Sequence, residues 1–546
     1  MISAPFNSEK LLFTPMIPDH DAIGVVFAFP NTYTIGITSL GYQAVWANLT
    51  TRPELAVSRW FTDVHEPLPR EVELLGISFS WELDYVNILN ALNSLGIPIQ
   101  QSDRTNDHPL VFGGGTVLSA NPEPFAAWFD LILIGDGEDL IGNMLAAYAE
   151  VRDGDRASQL KHLAQVPGVY VPSMYAVSYG SDDGAIEAIT PISPDIPAQI
   201  NKQTYRGNTL TSSTVVTEKA AWESIYMVEV VRSCPEMCRF CLASYLTLPF
   251  RTPDAETSLI PAIDRGVAVT NRLGLLGASI TQHPEFELLL DYLAQPKFDD
   301  LRLSLASVRT NTLTLKLAQT LSKRDSRSVT VAVESGSERL RQIINKKLTN
   351  DQIAQAAINA QEGGLSSLKL YGMVGVPGEI DSDLEATVEM LYGLRQVAPK
   401  LRLSFGCSTF VPKSHTPWQW LGVSKSSDKK LKFLQKRLAA KGIDFRPESY
   451  KDSLTQALIS RGDRRVTRVL ELAYGYSNGE VPSNGSYKRA FKELSMGLGD
   501  RLPPLDYYVH ENWQPNQILP WQHLNGPLPT GTLIKHLESS QALVIL

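Results

Sequence analysis

Short apolar runs that end in glycine and alternate with helical patterns constrain this chain more than any other feature. Gly24–Phe29, Leu74–Phe79, Leu110–Phe112 and Leu131–Ile134 each read as a buried strand. The third runs into Gly113-Gly114-Gly115 and the fourth into Gly135-Asp136-Gly137-Glu138. Helical periodicity fills the gaps, over Tyr85–Leu95 and Asp139–Arg152. Apolar strands separated by helices imply a parallel sheet of the doubly wound kind, with ligands beyond the carboxyl ends of the strands. An α/β domain is therefore expected over residues 23–165, after an N-terminal arm over 1–22.

A second α/β series is predicted over 225–420. Its candidate strands are Tyr226–Val231, Leu275–Ile280, Leu301–Leu305, Val329–Val333, Leu368–Val374 and Leu403–Thr409. Helical patterns lie between them, as over Asn311–Leu321, Asn350–Glu362 and Asp381–Leu394. A complete eight-unit barrel needs roughly 250 residues, so six units in this span predict a partial (β/α)6 TIM-like barrel open on one side. Residues 166–224 read as a linker with short strands, and Gly180-Ser181-Asp182-Asp183-Gly184 marks a hairpin turn. Residues 421–546 read as a mostly helical segment, with helices over Lys429–Lys441 and Ser453–Tyr474 and an aromatic-rich tail that wraps rather than folds alone.

At 546 residues the chain is too long for one core. A net charge of −8 gives no sign of a general nucleic-acid binder. No stretch approaches the ~18 apolar residues of a membrane span, and Met1–Pro15 lacks the pattern of a signal peptide. A cytoplasmic protein is expected.

Only four cysteines occur, and three of them, Cys234, Cys238 and Cys241, fall in Cys-x3-Cys-x2-Cys just after the first strand of the second series. Such clustering argues for a metal site rather than a disulfide framework. Three thiolates on one tight loop suit three irons of a cubane and leave the fourth iron open, whereas an electron carrier normally has four cysteines. Zinc wants a fourth Cys or His, and the nearest histidine, His283, is far along the chain. Cys407 is left over on a predicted strand and is expected to be a small core residue.

That motif at the mouth of a six-unit partial barrel resembles the radical S-adenosylmethionine (SAM) superfamily. The resemblance implies a [4Fe–4S] cluster on Cys234, Cys238 and Cys241 whose open iron chelates SAM. It implies reductive cleavage to a 5′-deoxyadenosyl radical that modifies a substrate not named by the sequence. Phe240 stands where the superfamily commonly has an aromatic beside the adenine. Glu334, in Val333-Glu334-Ser335-Gly336-Ser337-Glu338, resembles the strand-end residue that contacts SAM, although Ser337 and Glu338 also read as a helix start. Tyr371–Glu379 resembles the segment packed beside adenine, with Gly372, Val374, Gly375 and Glu379 involved; a plain Gly/Pro turn is the other reading. Ser304 and Arg309 follow the third strand, where a cation would clamp the SAM carboxylate, or else be a solvated loop arginine. The chain departs from the family at Gly277–Thr281, where a Gly-Gly-Glu-like turn is usual. Lys413 and His415 lie in a Pro-bounded loop with Trp418 and are expected to be mainly structural.

The whole arrangement from Ile23 to about Gly479 resembles the subgroup with an N-terminal cobalamin-binding-type domain, in particular uncharacterised bacterial members. Phe29-Pro30-Asn31, Asn121-Pro122-Glu123-Pro124 and the two glycine runs carry that resemblance. The usual Asp-x-His-x-x-Gly signature is absent after the first strand, where Asn31–Gly36 stands, and His65 reads as a surface histidine. Cobalamin therefore stays a minor expectation, with cobalamin-dependent methyl transfer as the alternative reaction and a non-catalytic iron–sulfur carrier or sensor as the other. A methylthiotransferase is disfavoured, since its second cluster needs three more cysteines. The resemblance also implies a reductant protein of the flavodoxin or ferredoxin type.

Overall fold

The computed structural model describes residues 5–180, 184–306, 308–496 and 502–545. The chain divides into two compact units. One comprises Met1–Arg206, Thr217–Glu223 and Thr455–Gly526; the other comprises Gly207–Val216, Ser224–Leu454 and Pro527–Leu546. The C-terminal residues expected to act as one wrapping segment are thus shared between the two.

The first unit is built on strands β1 (Ile23–Ala28), β2 (Leu55–Trp60), β3 (Leu74–Ser78), β4 (Leu110–Gly114), β5 (Leu131–Leu133) and β6 (Val169–Tyr170), in the order β2-β1-β3-β4-β5-β6. All neighbours are parallel except β5 and β6. All six residues of β1 are buried, as a sheet covered on both faces requires. The chain leaves β1 to one side for β2 and to the other for β3, so the strand order reverses there. Strand β2 breaks the apolar pattern with Ser58 and Arg59 and was not foreseen. Arg59 is buried because Glu9 and Glu66 each meet its guanidinium at 2.8 Å and Trp46 lies 3.9 Å from it. The expected hairpin is β7 (Tyr175–Tyr179) against β8 (Ile186–Pro191); Ser181–Asp183 of its turn lie outside the described residues. The helix expected over 453–474 is two, Tyr450–Arg461 and Val466–Tyr476. The break falls at Gly462-Asp463, where Asp463 is buried and accepts hydrogen bonds from Arg465 and Tyr508.

In the second unit the described residues form seven parallel strands rather than the six expected: β9 (Tyr226–Glu229), β10 (Arg272–Leu276), β11 (Arg302–Leu305), β12 (Ser328–Glu334), β13 (Ser367–Val374), β14 (Arg402–Thr409) and β15 (Asp444–Pro447). They make a three-stranded sheet, β9-β10-β11, and a four-stranded sheet, β12-β13-β14-β15, linked by a bridge between Val308 and Val331. Strand β15 has one large apolar side chain, Phe445, which stacks on Phe405, and sequence periodicity does not mark so short a run. Burial alternates along β13: Leu368, Leu370, Gly372 and Val374 are buried, whereas Lys369 and Tyr371 are exposed. The buried positions meet helices Asn350–Glu362 and Ser427–Ala439. Each strand runs toward the loop that carries candidate site residues, so the cysteine loop after β9 and Glu334 at the end of β12 share one end of the unit.

Candidate active site around the cysteine loop

The cysteine loop is held by hydrogen bonds from the elements around it. Helix Glu338–Ile344 ends with Asn345 in a left-handed conformation, the usual stop signal for a helix. Its last carbonyls lack partners within the helix. Arg239, between Cys238 and Cys241, supplies them: its backbone N–H donates to the Ile344 carbonyl at 2.9 Å and its Nη1 to those of Ile343 and Gln342. In return the Asn345 amide donates to the Met237 and Glu236 carbonyls at 2.8 and 3.2 Å. Arg239 Nε donates to the His536 carbonyl on helix Thr530–Ile545, and Tyr245 links the His536 ring to the Met237 carbonyl. Ser233 and Met237 take positive φ so that the loop can turn back on itself.

Cys238 is buried, while Cys234 and Cys241 are half-buried. The three thiols interact electrostatically with one another. Burial pushes the Cys238 thiol up to about 12 and raises Cys241, although Ser244 hydrogen bonds partly offset the latter. Thiols in such surroundings ionise readily only when cationic charge is supplied, as bound iron does. Among the described residues, no three His, Cys, Asp or Glu side chains are arranged to hold a single metal ion. A cubane instead asks for one thiolate at each of three corners, and three neighbouring thiols on one pinned loop fit it.

Glu334 sits at a bulge in β12 with φ of 65° and is buried. Its carboxylate pairs with Lys346 at 2.8 Å. Burial works against the Lys346 ammonium, but Glu334 and Cys238 outweigh it and its pKa is raised. Lys346 is thus a buried cation beside Cys238. Sequence reading missed it, because a lysine one residue past a helix end looks solvated. Gly372 pairs with Glu334 across the sheet. A side chain there would strike the Phe405 ring at 2.5 Å and the Glu334 carbonyl at 2.8 Å.

Other expected residues lie elsewhere or are already engaged. Arg309 pairs with Glu236 of the cysteine loop at 2.9 Å, and its remaining nitrogens donate to Asn311 and to the Lys346 and Lys347 carbonyls. It braces the loop rather than reaching out. Ser337 caps its helix, accepting from Leu340 N–H, and donates to Asp383. The Val374 side chain is fully buried on the helix side. Gly375, at φ of 74°, donates its N–H to Glu379 at 2.7 Å, and Glu379 pairs with Lys430. Glu379 therefore staples the turn. Phe240 is half-buried beside Cys241, and Ser304 is exposed on β11. Cys407 is buried, and burial holds its thiol well above the ordinary range. His65 is exposed, with Nδ1 2.8 Å from the Glu66 carbonyl.

Residues 228–391 match the family model described as Radical SAM superfamily, and residues 44–172 the one described as Radical SAM proteins, N-terminal. The chain therefore carries radical SAM domains and is an enzyme of that class, working with a [4Fe–4S] cluster and SAM. An uncharacterized protein of Methanocaldococcus jannaschii is 27% identical over 453 residues, 82% of this chain and 90% of its own. Among solved structures, the radical SAM methyltransferase TsrM from Kitasatospora setae, with tryptophan and a SAM analogue bound, is 14% identical with a TM-score of 0.49, over 72% of this chain and 75% of its own. The cobalamin-dependent radical SAM enzyme OxsB, with aqua-cobalamin and SAM bound, is 11% identical with a TM-score of 0.44, over 87% of this chain and 71% of its own. No helix among the described residues is long and apolar enough to cross a membrane.

Proposed function

We propose that Cys234, Cys238 and Cys241 each hold one iron of the cluster, and that β9–β15 form an open partial barrel whose strand ends carry SAM. The observation that supports this most is the pinned cysteine loop with the buried Glu334–Lys346 pair beside Cys238. With cluster and SAM bound, one-electron cleavage of the sulfonium supplies a 5′-deoxyadenosyl radical that takes hydrogen from a substrate. The chain's own residues bind and orient. Lys346 offsets negative charge at the thiolates and is placed to meet the SAM carboxylate. Glu334 accepts from the SAM ribose or amino group. Phe240 shields the adenine, and the backbone at Gly372, Val374 and Gly375 lines its edge. Ser304, exposed on β11, contacts SAM, and Arg309 holds the loop through Glu236. A flavodoxin- or ferredoxin-type protein, in a cytoplasmic setting, supplies the electron.

Cobalamin-dependent methyl transfer is the alternative. The first unit's parallel sheet suits a nucleotide-like tail at its strand reversal. Where the usual signature has its histidine loop, Asn31 donates to Asp84 at 3.0 Å, so no imidazole from that loop would ligate cobalt and cobalamin would be held without one.

Anaerobic reconstitution with iron and sulfide, then reduction in the presence of SAM, tests the proposal. Wild-type protein is expected to bind about four irons and release 5′-deoxyadenosine. Glu334→Gln is expected to raise the SAM KM about tenfold, the loss of one charge-assisted hydrogen bond. A cluster that cycles its oxidation state while SAM survives intact would favour the sensor reading instead.

A further inference from the structure

The face of β12–β15 that turns away from the helices carries an unusual mixture. Register places Lys369, Ser404 and Asp444 in one row and Tyr371, Gly406 and Arg446 in the next. Tyr371 is 52% exposed, far more than an aromatic on an inner strand of a sheet ordinarily is. Its ring rests against the bare backbone of Gly406, where a side chain would lie 2.6 Å from Tyr371 Cε1. Gly406 thus leaves room for the ring to lie along the sheet. Arg446 belongs to the same row and interacts electrostatically with Tyr371. Lys369 stands exposed one row below. Asp444 is the carboxylate of that row, and two arginines share it: Arg446 at 2.7 Å and Arg402 at 3.7 Å. Glu448 follows two residues after Arg446, so three cations, Lys369, Arg402 and Arg446, stand against two carboxylates and the face stays cationic by one charge. Tyr371 is also the residue before Gly372, which pairs with Glu334.

Resting on the radical SAM reading above, we infer that this face is the substrate subsite, and that the substrate is a planar aromatic or heteroaromatic ring bearing an anionic group. The ring stacks on Tyr371 while Arg446 and Lys369 grip the phosphate or carboxylate. Stacking on one aromatic face tolerates any flat ring and supplies affinity without reading its edge. A guanidinium adds a two-pronged, geometrically specific grip on an oxyanion. Together they hold a flat anion on the strand that also carries the proposed SAM contact at Gly372.

The test is equilibrium binding of 1-naphthyl phosphate to the full-length protein, with 1-naphthoate, 1-naphthol and inorganic phosphate as comparison probes. Naphthyl phosphate or naphthoate is expected to bind at least about tenfold tighter than either naphthol or phosphate, and the tighter of the two identifies the head group. Tyr371→Ala, and separately the Lys369→Ala/Arg446→Ala pair, should each weaken binding about tenfold, while Tyr371→Phe retains it. Tyr392→Ala serves as the control, since Tyr392 is also half-exposed with Lys441 4.2 Å from its ring but lies on helix Asp381–Val397. Equal loss in Tyr392→Ala, or binding of naphthol alone as tight as the anions, overturns the inference. Wild-type protein that forms the cluster and cleaves SAM yet ignores the ring anions overturns the subsite and leaves the enzyme class standing. Protein that binds them but forms no cluster keeps the binding face and overturns its part in catalysis.

Discussion

Two parallel sheets in one chain are clad in opposite ways. In the first unit β1 is buried at all six positions, so both faces are covered. In the second, β13 buries every other residue and leaves Lys369 and Tyr371 open. A parallel sheet ordinarily needs cover on both sides, because its strands read as continuous apolar runs. A sheet that alternates instead has a face reserved for something other than packing. The polar groups follow the same division. Buried charge in the first unit is closed on itself: Glu123 accepts from Tyr170 and from Arg464, with His523 at 3.6 Å. In the second unit the buried Glu334–Lys346 pair lies beside a loop that gathers three thiols, and Cys238, the buried one of the three, interacts with both of its charges.

The sharpest way to break this comparison is Cys238→Ala. SAM cleavage is expected to fall at least about a hundredfold, because the cubane loses a corner, while thermal unfolding of the metal-free protein shifts little. Deoxyadenosine release followed by chromatography checks the first and calorimetry the second. Next in size is Glu123→Ala, which takes the buried carboxylate away from the half-buried Arg464, leaves it the Tyr170 hydroxyl and the Tyr175 carbonyl, and should cost about 3 kcal/mol in urea unfolding.

The same network predicts acid sensitivity. Burial lowers the His523 pKa to about 4, whereas an unfolded histidine titrates near 6.5. Between those values the unfolded chain binds the extra proton, so stability falls as pH drops from about 6.5 toward 4, by up to about 3 kcal/mol. Glu123 adds a loss in the same direction at lower pH, since Arg464 outweighs burial and depresses its carboxyl. Urea midpoints across this range, with His523→Phe flattening the slope, check the sign. The smallest effect is expected for Cys407→Ala. A small core cavity should cost about 1 kcal/mol and leave SAM cleavage near wild type.

Much of this was legible in the residues. The strand at Ile23–Ala28, the helix at Asn350–Glu362 and the cysteine loop follow from local pattern alone, because burial on both faces, capping and ligand spacing are all local signals. Strand β2 was not, since Arg59 owes its burial to Glu9, fifty residues away in sequence. Lys346 was hidden for the same reason, its meaning resting on Glu334 and Cys238 in space. Arg309 shows the converse: its position suggested an outward clamp, and only the fold reveals Glu236 holding it. At the turn after β13 the pattern marks the backbone but not the side chains: Glu379 staples the turn to Lys430 and the Val374 side chain fills the core, which leaves the Val374 main chain for the proposed adenine contact.

Helix Thr530–Ile545 meets the cysteine loop through a bond spanning 297 residues of chain, Arg239 to the His536 carbonyl. A ribosome therefore displays the cysteines long before it makes the helix that steadies them. Iron loading in the cell is expected to follow synthesis rather than accompany it. Nascent chains stalled short of Thr530 should capture less iron than full-length protein, and equal capture would show that the loop matures without its late partner.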